Sequence, residues 1–181
     1  DPNTTYSLYL AIVDKAGNST ATVYSQSFTT CKTMPVVTKQ PTISGTYGQK
    51  VEAMTLTDGV AKVENDVITG TWAVTDINKT NVPAVGTTDT YQVTFTPDAS
   101  YNDIYDTVIV PVKPTVSKRA ITVAADDKTK TYGQDNPELT FKITEGTLAS
   151  GDNNTDLGIT LTCVANENTP VKEGGYAIKG T

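Results

Sequence analysis

The sequence predicts an all-β chain built from tandem small β-sandwich (Ig-like) modules in an elongated array, with β-grasp-like modules as the alternative. Three observations carry that expectation. Threonine fills 34 of the 181 positions, and valine and tyrosine are plentiful. Such side chains suit a pleated, half-buried surface. Short segments alternate with a period of two: Tyr91, Val93 and Phe95 against Gln92, Thr94 and Thr96, then Val108, Val110 and Val112 on one face. No helical period is sustained over about ten residues, which favours the sandwich over a sheet with a packed helix.

The first expected element is a hairpin. Tyr6, Leu8, Leu10 and Ile12 alternate with Ser7, Tyr9, Ala11 and Val13, and Asp14-Lys15-Ala16-Gly17-Asn18 turns the chain into a second strand over residues 21–29. Gly17-Asn18 is expected to supply the positive φ of that turn. Because a lone hairpin is marginal in water, it must pack on the next module or be the tail of a larger domain.

Beyond it lies an internal repeat. Thr46-Tyr47-Gly48-Gln49 recurs as Thr131-Tyr132-Gly133-Gln134, 85 positions later. The same offset takes Val36 to Ile121, Met54 to Leu139, Leu56 to Phe141, Tyr91 to Tyr176 and Val93 to Ile178. The frame slips by two residues where Pro83-Ala84-Val85-Gly86 corresponds to Pro170-Val171-Lys172-Glu173-Gly174. A register held over that length marks two copies of one module. The tetrapeptide is expected to be a tight turn with a positive-φ glycine and a tyrosine anchoring it to the core. The resulting domains are residues 1–33, 34–117 and 118–181. The second copy is expected to lack its last strand and to leave a bare sheet edge. Residues 113–119 read as a short linker, and Pro111 requires that its strand be an edge or leave the sheet there.

Composition narrows function. With 20 acidic against 14 basic residues the net charge is −6, Arg119 is the sole arginine, and no basic cluster exists to meet a phosphate backbone. Nucleic acid is therefore not an expected partner. No apolar run approaches the roughly 20 residues of a membrane helix, so membrane insertion is not expected either. Histidine is absent, which removes the Ser-His-Asp and Cys-His nucleophiles and the His-containing zinc sites. A non-enzyme is expected. Cys31 and Cys163 fall in different modules without a metal-ligand spacing. Cys163 shares a strand face with Ile159 and Leu161, so it reads as a small buried hydrophobe; the alternative is a disulfide to a cysteine outside these residues.

Three stretches resemble known families. Residues 2–10, the corner Asp14-Lys15-Ala16-Gly17-Asn18 and the closing Ser27-Phe28-Thr29-Thr30 resemble the last two strands of a bacterial fibronectin type III or related Ig-like domain. Residues 120–133, then Asn136-Pro137-Glu138-Leu139-Thr140-Phe141 and Gly175-Tyr176-Ala177-Ile178-Lys179-Gly180, resemble the mostly β, glycine-containing (MBG) repeats of large bacterial surface proteins. Residues 35–116 look like a diverged relative. The resemblance implies a tandem-repeat stalk, spacer or adhesion segment of a cell-surface or secreted adhesin, acting outside the cell. It offers no catalytic residue, and its partner would be a host or cell-surface protein or a glycan. The alternative is an accessory, carbohydrate-binding module of a secreted polysaccharide-degrading enzyme. A monomer is expected.

Three candidate sites arise. Asp152, Asn154 and Asp156 have the spacing that opens a calcium loop, but Leu157 and Cys163 stand where that loop needs glycine and a bidentate glutamate. An Asx-rich turn is preferred, with calcium as the alternative and no cofactor otherwise. Trp72, Tyr101 and Tyr105 could stack on a sugar; Trp72 lies in phase with Ile68 and Val74, which points it inward. Asp126 and Asp127 are adjacent, so on a strand they face opposite ways and cannot flank one bond.

Overall fold

A computed structural model describes residues 3–19 and 24–181 of the chain. Strands dominate. The helical segments among the described residues are three 3-10 turns, Val51–Ala53, Ala99–Tyr101 and Asn154–Leu157.

The hairpin forms as β1 (Thr5–Leu10) and β2 (Tyr24–Thr29), antiparallel from Thr5 opposite Thr29 to Leu10 opposite Tyr24. Positions 21–23 of the expected second strand lie outside the described residues. The Asp14 carboxylate accepts from the amides of Ala16 (2.8 Å) and Asn18 (2.9 Å) and from the Asn18 side chain. These bonds, that of the Asn18 side chain foremost, hold its pKa below the usual value. Within residues 14–18 only Gly17 takes a positive φ (84°), so the Gly-Asn expectation is corrected to glycine alone. Every residue of β1 is exposed, Leu8 at 67%. The hairpin does not bury its apolar face on the next module; a backbone bridge from Thr33 to Tyr105 joins it to the first copy.

The first copy contains β3 (Val36–Lys39), β4 (Thr42–Thr46), β5 (Thr55–Thr57), β6 (Val60–Val63), β7 (Asp66–Ile68), β8 (Gly70–Val74), β9 (Tyr91–Pro97), β10 (Val108–Val112) and β11 (Thr115–Ser117). They form three sheets, ordered β3-β6-β7, β11-β4-β5 and β10-β9-β8. β9 organises the packing because its burial alternates along its whole length, with Tyr91, Val93, Phe95 and Pro97 buried. Tyr91 and Val93 pack with Ile43, Val51 and Met54, with Val110 and Val112 of β10 and with Val116. Phe95 packs with Ala61 and Ile68 from the third sheet. Two sheets therefore face each other across one end of β9, and a third sheet covers the other end. Each buried Val or Phe contributes about 1.5–3 kcal/mol.

One expectation needs correction. Residues 113–119 are not a linker throughout: Thr115–Ser117 pairs parallel with Ser44–Thr46, and Val116 is 7% exposed in the core. Trp72 faces inward, as its phase with Ile68 and Val74 implies, and packs half-buried on both core clusters. The chain breaks at Thr69, Ile68 ending β7 in one sheet and Trp72 lying on β8 in another. Pro111 sits on β10, an edge strand, as its missing N–H requires.

The second copy contains β12 (Thr122–Ala125), β13 (Phe141–Glu145), β14 (Leu161–Cys163) and β15 (Ile178–Gly180), paired as two antiparallel hairpins, β12 with β13 and β14 with β15. Pairing exposes how the copies correspond. Trp72 lies opposite Phe95 and Val74 opposite Val93. Leu161 lies opposite Gly180 and Cys163 opposite Ile178. Since Ile178 corresponds to Val93, Leu161 takes the place of Trp72 and Cys163 that of Val74, a local offset of 89 that returns to 85 at β15. The drift in frame is therefore larger around β14 than the two residues visible at Pro170.

β9 is flanked by β8 and β10, whereas among the described residues β15 has β14 alone as its sheet neighbour. The inner faces of Val123, Phe141, Leu161 and Ile178 accordingly line an open groove of about 450 Å³. Ala149 is the buried residue of this copy, and it lies at the contact with the first. Ile159, Leu161 and Cys163 are half-buried on one face while Thr160, Thr162 and Val164 are exposed. Cys163 and the exposed Cys31 are both free thiols.

Candidate functional site at the contact between the copies

The repeated tetrapeptide makes the same turn twice. Gln49 N–H donates to the Thr46 carbonyl and Gln134 N–H to that of Thr131, each at 3.1 Å. Gly48 has φ 93° and Gly133 φ 83°, backbone that an L side chain adopts only at a cost. The surroundings of the two turns differ.

In the first copy the turn is clasped by the second. Arg119 Nε donates to the Tyr47 carbonyl at 3.1 Å, and its Nη1 donates to Thr147 Oγ1 at 3.1 Å and the Thr147 carbonyl at 3.3 Å. One guanidinium thus pins a turn of one copy to a loop of the other, a role its rigid fork of donors suits. Tyr47 packs its ring on the first core and donates its hydroxyl to Asp152 Oδ1 at 3.2 Å. Gly48 lies against Ala149 so closely that an added Cβ would sit 2.6 Å from the alanine Cβ. The second copy's turn has no such cover. Tyr132 is 61% exposed, and nothing lies within 4 Å of where a Gly133 Cβ would be. Core anchoring by the tyrosine therefore holds at Tyr47 and fails at Tyr132.

A crevice of about 650 Å³ opens beside the clasp, lined among others by Tyr47, Val85, Lys118, Arg119, Asp152 and Asp156. Its polar groups are largely committed. The Asn153 side chain accepts from Thr155 N–H at 2.9 Å while Asp156 Oδ2 accepts from Asn153 N–H at 2.7 Å, the reciprocal capping box of a short 3-10 turn. Of the calcium candidates, Asp152 thus holds Tyr47, Asp156 caps the turn, and Asn154 is an exposed residue within it. Among the described residues no three carboxylates or thiols group to hold a metal.

The aromatic candidates lie elsewhere. Trp72 is half-buried and tilts on Phe95 with centroids 5.0 Å apart, while Tyr101 and Tyr105, also half-buried, pack together at 5.5 Å against the same cluster. No open row of rings results from these three. Asp126 accepts from Thr140 Oγ1 at 2.7 Å and lies 3.9 Å from Lys142, so it ties β12 to β13. Sequence reasoning singled out Asp152 for a different chemistry and passed over Arg119 and Ala149. The available signal was that the sole guanidinium stands two residues after a strand, at the start of the second copy.

The repeated Tyr-Gly turn and its strand frame agree with comparison to known families. Residues 121–181 match the MBG domain, YGX type. The match spans β12 to β15 and contains Tyr132-Gly133-Gln134; the first copy lies outside it. No curated protein and no solved structure matches the chain. Arg119 just before the matched residues and Asp152 within them form the face that grips the preceding copy.

The clasp carries a pH dependence. The hydrogen bond to Asp152 is the largest cause holding the Tyr47 phenol above its ordinary pKa of 10.0, followed by the Asp152 charge, burial and the Asp156 charge. A raised folded pKa means that the contribution is complete below the unfolded tyrosine's pKa and is lost as pH rises through the folded one. Asp152→Asn is expected to lower the titration point of Tyr47, followed by the NMR shift of its Cζ. An unchanged titration would show that the two side chains do not meet in solution.

Proposed function

We propose that this segment is a non-enzymatic, extracellular spacer of a bacterial cell-surface or secreted protein, in which neighbouring β modules are locked turn-to-face so that the array holds its direction. The observation that carries the reading is the clasp. The polar groups brought together between the copies are spent on one another, Arg119 on backbone carbonyls and Asp152 on Tyr47. That commitment suits a mechanical contact better than ligand capture. The MBG match of residues 121–181 supports a place in a modular surface protein, and the acidic balance of −6 favours solvation over self-association. The lack of a basic cluster supports a segment without a nucleic-acid partner, the short apolar runs support one that does not insert in a membrane, and a monomer is expected; the resemblance of the hairpin to a fibronectin type III or Ig-like domain fits an array of mixed modules.

A glycan array probed with the chain separates this reading from that of a carbohydrate-binding module or adhesive surface for sugars. The spacer reading predicts no retained glycan. Saturable binding to any glycan class would contradict it.

A further inference from the structure

The first copy shows what its tetrapeptide turn is for, and the second copy repeats the turn without an occupant. Tyr47 and Val85 border one crevice in the first copy, and the second copy enters beside them. The corresponding loops are again adjacent in the second copy, where Tyr132 and Val171 border an open groove of about 320 Å³. Val171 is 90% exposed, Tyr132 is 61% exposed, and among the described residues no hydrogen bond from the Tyr132 hydroxyl or to its carbonyl is formed. The turn itself is held in place, since Gly133 N–H donates to the Glu167 carbonyl at 3.0 Å and Lys130 Nζ donates to the Gln134 carbonyl at 3.1 Å. A fixed turn that presents a free carbonyl, a free phenol and a glycine with open space above it matches the first turn with its partner removed.

We propose that the Tyr132-Gly133 turn is the docking surface for a further β module. That module would present the face that Arg119, Ala149 and Asp152 form here: a guanidinium for the Tyr132 carbonyl, a small side chain over Gly133 and a carboxylate for the Tyr132 hydroxyl. The occupant is specified by what fills the equivalent place in the first copy. The glycine has one requirement at both sites, the positive φ, and a second at the occupied site alone, room for the incoming alanine. The inference holds whether the array serves as spacer or as adhesion surface.

The repeat itself supplies the test. Since the offset of 85 places Thr181 on Thr96, appending residues 97–181 after Thr181 adds a third copy in register. Glu138→Asp in the appended copy makes its tyrosine peptide distinguishable by mass. Both tyrosines are then nitrated with tetranitromethane in one tube. The original Tyr132 is expected to react about tenfold more slowly than the equivalent tyrosine of the appended copy, the ratio given by a docked state favoured by about 1.4 kcal/mol. Arg119→Ala with Asp152→Ala, made in the appended copy alone, should restore its reactivity. Equal rates at the two tyrosines in the folded three-copy chain would overturn the proposal. So would equal protection from appending residues 97–117 alone, because completing the sheet would then be the cause. An appended copy that stays unfolded on a folded 181-residue chain would also count against it, since a complementary turn should support the third copy as Tyr47 supports the second.

Discussion

Phe95→Ala should destabilise the first copy by about 3–5 kcal/mol, among the larger costs a single core truncation carries. Phe95 is 1% exposed on the central strand β9, with Trp72 tilted on its ring at 5.0 Å and Ala61 and Ile68 packed against it from the third sheet. The neighbours belong to different sheets, so they cannot close the cavity by one concerted shift, and the cost should fall near the upper end. Trp72 fluorescence followed through a urea titration reads the loss as a lower midpoint. A midpoint unchanged within error would mean that the third sheet does not share a core with β9. Thr96→Ala on the exposed, opposite face of the same strand is the comparison, and its effect should stay within about 1 kcal/mol.

The second large effect is expected at Gly48, read against Gly133. Alanine at either position must adopt a positive φ, which costs about 1–2 kcal/mol. At Gly133 that is the whole penalty, because among the described residues nothing but the adjoining chain lies within 4 Å of the new Cβ. At Gly48 the same Cβ would meet Ala149 Cβ at 2.6 Å and Arg119 Nη2 at 3.1 Å. A backbone-borne methyl cannot swing away, so the second copy must retreat. Gly48→Ala should therefore shift the amide resonances of Ala149 and Asp152 and release Tyr47 from its carboxylate, while Gly133→Ala leaves those signals in place. Identical responses to the two substitutions would deny the contact.

How far the sequence disclosed this molecule depended on the range of the interactions. Tyr91, Val93 and Phe95, and Val108, Val110 and Val112, were legible because a strand with one buried face writes its period of two into the chain. The tetrapeptide turn was legible because positive φ selects glycine locally, and the repeat supplied the register. What escaped was what depended on distant partners. Thr115–Ser117 is too short to show a period, follows a proline, and pairs with residues some 70 positions earlier. The break at Thr69 leaves hydrophobic phase intact while transferring the chain between sheets, so phase placed Trp72 inward without revealing the change of sheet. Asp152 drew attention for its neighbours in sequence, yet its partner Tyr47 lies 105 positions away. Equal spelling at Tyr47 and Tyr132 also concealed unequal surroundings, since local sequence specifies a turn and not what rests on it.

The central claim is that the two copies are held as one body through Tyr47, Arg119 and Asp152. Backbone ¹⁵N relaxation on the chain tests it most directly, by comparing rotational correlation times fitted separately to residues 36–112 and 122–180. The clasp predicts one common value and alignment axis, separating into two when Arg119→Ala and Asp152→Ala are combined. Two independent correlation times in the unaltered chain would contradict it.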